Sequence, residues 1–180
     1  MPSWQIIKMN IVLIGYRCSG KTVVGKAVAE RLNRVFIDAD DYLEFKAGRS
    51  IERIVEEEGW DYFRELEKKA IDELSGQDNL VMATGGGVVI DDENISHLKE
   101  NGLIFWLQAE ADILKARMDN DQRVGKKRPS LTGQDPVEEI RNVLDQRAPF
   151  YEKAADRAID TDNLSLEQTV DRIIEMIQQQ

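Results

Sequence analysis

The stretch from Asn10 to Thr22 limits what this chain can fold into more than any other part of it. It opens with NIVLI, an apolar run that reads as a buried strand over 10–14. The next eight residues, Gly15-Tyr16-Arg17-Cys18-Ser19-Gly20-Lys21-Thr22, fit G-x4-G-K-[ST] in full, and a helical pattern follows to about Leu32. In that order, the glycines let successive backbone N–H groups turn inward around an anion, and the positive end of the helix faces the same point. The loop therefore predicts binding of a nucleoside triphosphate, ATP, with Mg2+. Lys21 is expected to reach the β- and γ-phosphates and Thr22 to ligate the magnesium. Gly15, Arg17, Cys18, Ser19 and Gly20 are expected to line the nucleotide. The competing reading is a chance match in a tight turn, and the flanking strand and helix weigh against it. Cys18 is expected to be inert in catalysis and shielded by bound ATP. The motif does not name the group that receives a phosphate.

Beyond the loop, apolar runs alternate with amphipathic stretches. Strands are expected at 35–37, 80–84, 103–107 and 157–159. Helices are expected at 41–45, 51–58, 61–74, 92–100, 111–118, 136–154 and 166–177, with Gly48 as a break and Pro136 at a favoured helix start. This alternation predicts an α/β fold in three layers, α/β/α, around a five-stranded parallel sheet, as one domain over 1–180. Ligands of such sheets bind at the carboxyl ends of the strands. The motifs follow the first, second and third strands, which is where such a site would be. Residues 120–134 have almost no apolar content and read as a long mobile loop.

Composition removes several classes. The 180 residues carry a formal charge of −10, which argues against nucleic acid as a general partner. No run approaches the roughly 18–20 apolar residues of a membrane span. The first eight residues hold no signal-peptide core, and one cysteine makes no internal disulfide. A cytoplasmic protein is expected. Against this acidic mean, the basic cluster Arg123 to Arg128 stands out.

Three further features point to a second ligand. Asp38 and Asp40 follow the second strand in FIDAD, and residues two apart in an extended segment face the same side. One carboxylate can hold magnesium through water while the other accepts a hydrogen bond from a hydroxyl. An N-cap role for Asp40 is an equal alternative. Gly85-Gly86-Gly87 follows the third strand, where three glycines imply close approach to the backbone or positive φ. Arg64, with Glu67 one turn on, and Arg147, beside a proline inside a helix, suit bidentate binding of a carboxylate. Arg64 also reads as half of a surface ion pair.

Taken together, GYRCSGKT at 15–22, FIDAD at 36–40, GRSI at 48–51, FRELE at 63–67, TGGG at 84–87, RPSL at 128–131 and RAPFYE at 147–152 resemble the shikimate kinase family over essentially the whole chain. The resemblance implies a P-loop, nucleoside-monophosphate-kinase-like fold with a mobile lid at about 120–134. It also implies transfer of the ATP γ-phosphate to the 3-hydroxyl of shikimate by a monomeric enzyme. By that resemblance Lys21, Asp40 and Arg128 are catalytic, with Asp40 the base. Thr22 and Asp38 serve the metal. Asp40, Arg64, Gly85, Gly86, Gly87 and Arg147 bind shikimate. Arg117 stacks on adenine, and Arg128 of the lid touches the phosphates. The lid is longer than is usual in the family, and Ser130 stands where leucine is frequent. A gluconate kinase, a nucleoside monophosphate kinase and a ligand sensor that no longer turns over share parts of this pattern. The triple glycine and paired arginines favour a carboxylate-bearing cyclic acceptor. Retention of Lys21, Thr22, Asp38, Asp40 and Arg128 favours turnover.

Overall fold

The computed structural model describes residues 8–120 and 135–179. Five strands, β1 (Asn10–Ile14), β2 (Val35–Asp38), β3 (Leu80–Ala83), β4 (Gly102–Gln108) and β5 (Arg157–Asp160), form one sheet in the order β2-β3-β1-β4-β5. All four pairings are parallel. The inner strands β1 and β3 are buried along their whole length, as a parallel sheet covered on both faces requires, whereas the edge strands β2 and β5 are partly exposed. The helices are α1 (Lys21–Leu32), α2 (Ala39–Ala47), α3 (Ile51–Ser75), α4 (Asp92–Glu100), α5 (Ala111–Asn120), α6 (Pro136–Ala154) and α7 (Leu166–Gln178).

Alternation along the strands divides the core. Ile11, Leu13, Leu103, Phe105 and Leu107 face α1 and α7. Val12, Ile14, Met82 and Ile104 face the other way, onto Ile71 and Leu74 of α3, Leu98 of α4 and Tyr151 of α6. Tyr16 leaves the loop after β1 to pack with Ala111, Leu114 and Ile140, seating the pair α5 and α6. Among the described residues, no helix is long and apolar enough to cross a membrane.

Most expected elements are present within a residue or two, and one differs informatively. The helix expected at 41–45 starts at Ala39, because Asp38 caps it: its carboxylate accepts from the Asp40 N–H. The capping aspartate is therefore Asp38 and not Asp40. The helices expected at 51–58 and 61–74 are both present as the two halves of α3, and they are separated at Gly59, where φ 84 and ψ 174 leave helical space. Only glycine adopts that conformation cheaply. Arg49 spans the break: it pairs with Glu57 at 2.7 Å, and its guanidinium lies 5.9 Å from the Tyr62 ring centroid. As expected, α6 runs through Pro149 as helix to Ala154. The expected lid at 120–134, with Arg128, lies outside the described residues beyond Asn120.

Candidate active site

The phosphate loop has the backbone its motif implies. Gly15 and Gly20 adopt positive φ, 145 and 99, and Cys18 sits at φ 61. A Cβ on Gly15 would lie 2.6 Å from the Leu107 carbonyl oxygen, so the loop is pressed against the end of β4. Lys21 is only 8% exposed, and its Nζ donates to the carbonyls of Gly15 (2.8 Å) and Tyr16 (2.7 Å). The lysine is thus folded over the loop that would hold the phosphates.

Thr22, one residue on, donates from Oγ1 to Asp38 Oδ2 at 2.9 Å, while Asp38 Oδ1 accepts from the Asp40 N–H at 3.1 Å. One carboxylate therefore joins the start of α1 to the start of α2. A hydroxyl and a carboxylate make a small, hard oxygen set, which suits Mg2+ that keeps most of its waters and takes its other ligands from phosphates. Among the described residues, no group of three or more acidic, His or Cys side chains could cage a metal unaided. The magnesium expectation for Thr22 and Asp38 fits these donors. The reason Asp38 and Asp40 come together differs from the one expected, because Asp40 lies in the first turn of α2 and not on the strand.

The glycine triplet is where the other expected residues meet. Thr84 fastens its start, with N and Oγ1 both donating to the Leu13 carbonyl. None of the three glycines has positive φ, so backbone freedom does not explain them, and close approach explains Gly85 and Gly87. A Cβ on Gly85 would stand 2.9 Å from Asp40 Oδ1 and 3.2 Å from Glu67 Oε2; one on Gly87 would stand 2.7 Å from an Arg64 nitrogen. Gly86 is less crowded, with nothing inside 3.5 Å of its Cβ position, but its carbonyl receives both Arg147 Nη1 (3.0 Å) and the Tyr151 hydroxyl (2.6 Å). Asp40, Arg64 and Arg147, from α2, α3 and α6, thus converge on one loop at the carboxyl end of β3.

Two residues of this cluster were not among the expected site residues. Glu67 is 5% exposed and binds Arg64 Nη1 at 2.8 Å, so the pair is not the surface ion pair considered from sequence. Burial pushes the Glu67 carboxyl above its ordinary range, against the opposing pull of the Arg64 and Arg147 charges. Tyr151 is buried and stacked on Trp106 with centroids 5.3 Å apart, and burial raises its phenol to about 12. The i, i+3 spacing of Arg64 and Glu67 was a readable signal for the first. Tyr151 lies in the quoted RAPFYE segment, but no local pattern marks its hydroxyl as a partner of Gly86. Arg117 lies apart from the triplet's partners and donates to Thr161 Oγ1 (3.1 Å) and the Thr161 carbonyl (3.0 Å), bracing the loop that follows β5.

Known proteins resemble this chain along nearly its whole length. A family model described as shikimate kinase matches residues 17–178. A shikimate kinase of Syntrophus aciditrophicus is 42% identical over 179 residues, covering 95% of this chain and 92% of the relative. A solved structure of Acinetobacter baumannii shikimate kinase in complex with shikimate superposes with a TM-score of 0.88 at 33% identity, covering 97% of this chain and 95% of that one. A gluconokinase from Sinorhizobium meliloti reaches a TM-score of 0.63 at 20% identity, covering 96% of this chain and 93% of that one, a likeness of fold alone.

Proposed function

The chain belongs to the shikimate kinase family, and from that premise we infer that it transfers the γ-phosphate of ATP to the 3-hydroxyl of shikimate, giving shikimate 3-phosphate and ADP. The observation that carries the assignment of roles is the convergence of one carboxylate and two arginines on Gly85–Gly87, beside a complete phosphate loop. Bound MgATP would supply the transferable phosphoryl group and a metal ion that neutralises charge developing on the phosphates. The chain's own residues bind, orient and take up a proton. Thr22 and Asp38 would hold the metal. Lys21 exchanges its two loop carbonyls for phosphate oxygens, a move within the reach of its flexible stem. Gly15, Arg17, Cys18, Ser19 and Gly20 surround the phosphates, and Arg117 flanks the base.

At the other end of the site, Arg64 and Arg147 receive the shikimate carboxylate, and Asp40 accepts the proton of the attacking hydroxyl. Gly85, Gly86 and Gly87 let the ring approach the backbone. Glu67 keeps Arg64 in place, and the Gly86 carbonyl parks Arg147 until a carboxylate competes for it. Such a site needs positioning and charge neutralisation rather than a covalent intermediate. Arg128 belongs to this reading as a phosphate contact. The reading also has one domain acting as a monomer in the cytoplasm, with neither nucleic acid nor membrane as partner.

The test is an ADP-release assay on purified protein with MgATP and shikimate, gluconate or a nucleoside monophosphate offered in turn. Release is expected with shikimate alone. Release with gluconate in its place would overturn shikimate as the acceptor. Silence with all three, in a protein that still binds ATP, would favour a sensor.

A further inference from the structure

Trp60 is the first residue after the break in α3, and at 54% exposed it contributes little to the core. Its indole is nevertheless engaged. The ring meets Phe63 edge-on, with centroids 5.8 Å apart and planes at 84°. One turn further along the helix, the Arg64 guanidinium carbon lies 5.8 Å from the Trp60 centroid and 5.0 Å from that of Phe63. These distances fall within the range of about 6 Å over which an aromatic face attracts a cation. Glu67 holds the same guanidinium through Nη1 at 2.8 Å, and Gly87 borders it closely enough that a Cβ there would meet Nη2 at 2.7 Å. Arg64 is thus bounded by a carboxylate, a glycine and two aromatic rings. Of these, Trp60 owes its place to its i, i+4 spacing from Arg64 on the helical segment that follows Gly59.

We propose that Trp60 is a positioning residue for acceptor binding: its indole confines the Arg64 side chain to the orientation that meets the acceptor's carboxylate. An arginine side chain with 33% exposure has several rotamers open to it. One hydrogen-bonded edge leaves the guanidinium free to swing about that contact. An aromatic face alongside removes that freedom without consuming a donor. The N–H groups not used by Glu67 then remain available to the ligand. This rests on the reading of Arg64 as a carboxylate-binding residue, and the test separates the two claims.

The test is a double-mutant cycle on the full chain, using Trp60→Ala, Arg64→Ala and the pair, with Trp60→Phe as the conservative variant. Shikimate dissociation constants come from titration calorimetry and are supplemented by KM and kcat where turnover allows. Trp60→Ala is expected to weaken shikimate binding about 3- to 5-fold, with kcat and the KM for ATP within about 1.5-fold of wild type. Trp60→Phe should recover most of the loss, and in the Arg64→Ala background the Trp60 effect should vanish. An equal loss in both backgrounds would mean that Trp60 acts on the ligand or the fold directly, which overturns the proposal while leaving the role of Arg64 standing. Unchanged binding in Trp60→Ala would overturn it too. If Arg64→Ala alone binds shikimate normally, the carboxylate reading of Arg64 fails and the proposal fails with it. Thermal melts matching wild type establish that each variant is folded.

Discussion

Replacing Gly85 by alanine places a methyl group 2.9 Å from Asp40 Oδ1 and 3.2 Å from Glu67 Oε2. Carbon and oxygen tolerate about 3.3–3.6 Å, so the Asp40 carboxylate must retreat by about half an ångström. Its backbone is fixed, with the Asp40 N–H bound to Asp38 Oδ1 at 3.1 Å in the first turn of α2, so the carboxylate retreats by rotating its side chain away from this geometry. Glu67 is held in turn by Arg64 at 2.8 Å. Gly85 does not have positive φ, so the backbone accepts alanine and the strain falls on these contacts. A misplacement of about 1 Å in a reacting group can cost about 100-fold, so half that displacement predicts a fall in kcat of about 10-fold. The assay is initial-rate ADP release with shikimate and MgATP varied in turn, beside a thermal melt. The KM for ATP is expected to stay within about twofold, since the phosphate loop is untouched. A kcat within twofold of wild type, in a variant melting normally, would mean that Asp40 does not do its work from where it borders Gly85, and the base assignment would lose its geometric support.

Two further predictions use the same cluster. Asp40→Asn keeps the shape and removes the proton acceptor, so kcat should fall by about 10²- to 10⁴-fold; a loss below tenfold would leave Asp40 as a residue that only orients the acceptor. Tyr151→Phe tests the raised phenol, whose value in the fold is about 12 against an ordinary 10. The sign follows from the raised value: the folded state favours the protonated phenol, so its contribution is complete below pH 10 and is lost as pH climbs from 10 towards 12. Two units correspond to at most about 3 kcal/mol, so the stability gap between wild type and variant should narrow as denaturant titrations move from pH 9 to pH 11. A gap that stays constant over that range would show that the Tyr151 hydroxyl is not held in its protonated form.

Most of the expected elements could be placed from local sequence because their signals are local. β1 is an uninterrupted apolar run, α6 begins at a proline with Asp135 as cap, and the phosphate loop has its own consensus. Boundaries moved where a side chain acted across elements. Asp38 was expected as a metal residue and also ends β2 and starts α2, because a carboxylate at that corner can cap a helix and meet Thr22 at once. The helical patterns at 51–58 and 61–74 left Gly59 outside both, and the backbone breaks there. Trp60 and Arg64 both follow that break, and their i, i+4 spacing on one helical segment brings the indole beside the guanidinium.

The sequence alone determined the phosphate loop, the parallel α/β alternation, and the residue types that could bind a polyhydroxy acid, since each depends on neighbours in the chain. Which of those types work together was decided only by the tertiary structure. Arg64 and Arg147 are far apart in sequence, yet they meet around Gly85–Gly87 because β3 lies beside β1 at the centre of the sheet and carries that loop to its carboxyl edge. The burial of Glu67 and Tyr151 follows from the same packing. Desolvation depends on which helices cover a residue, and no window of sequence contains that information.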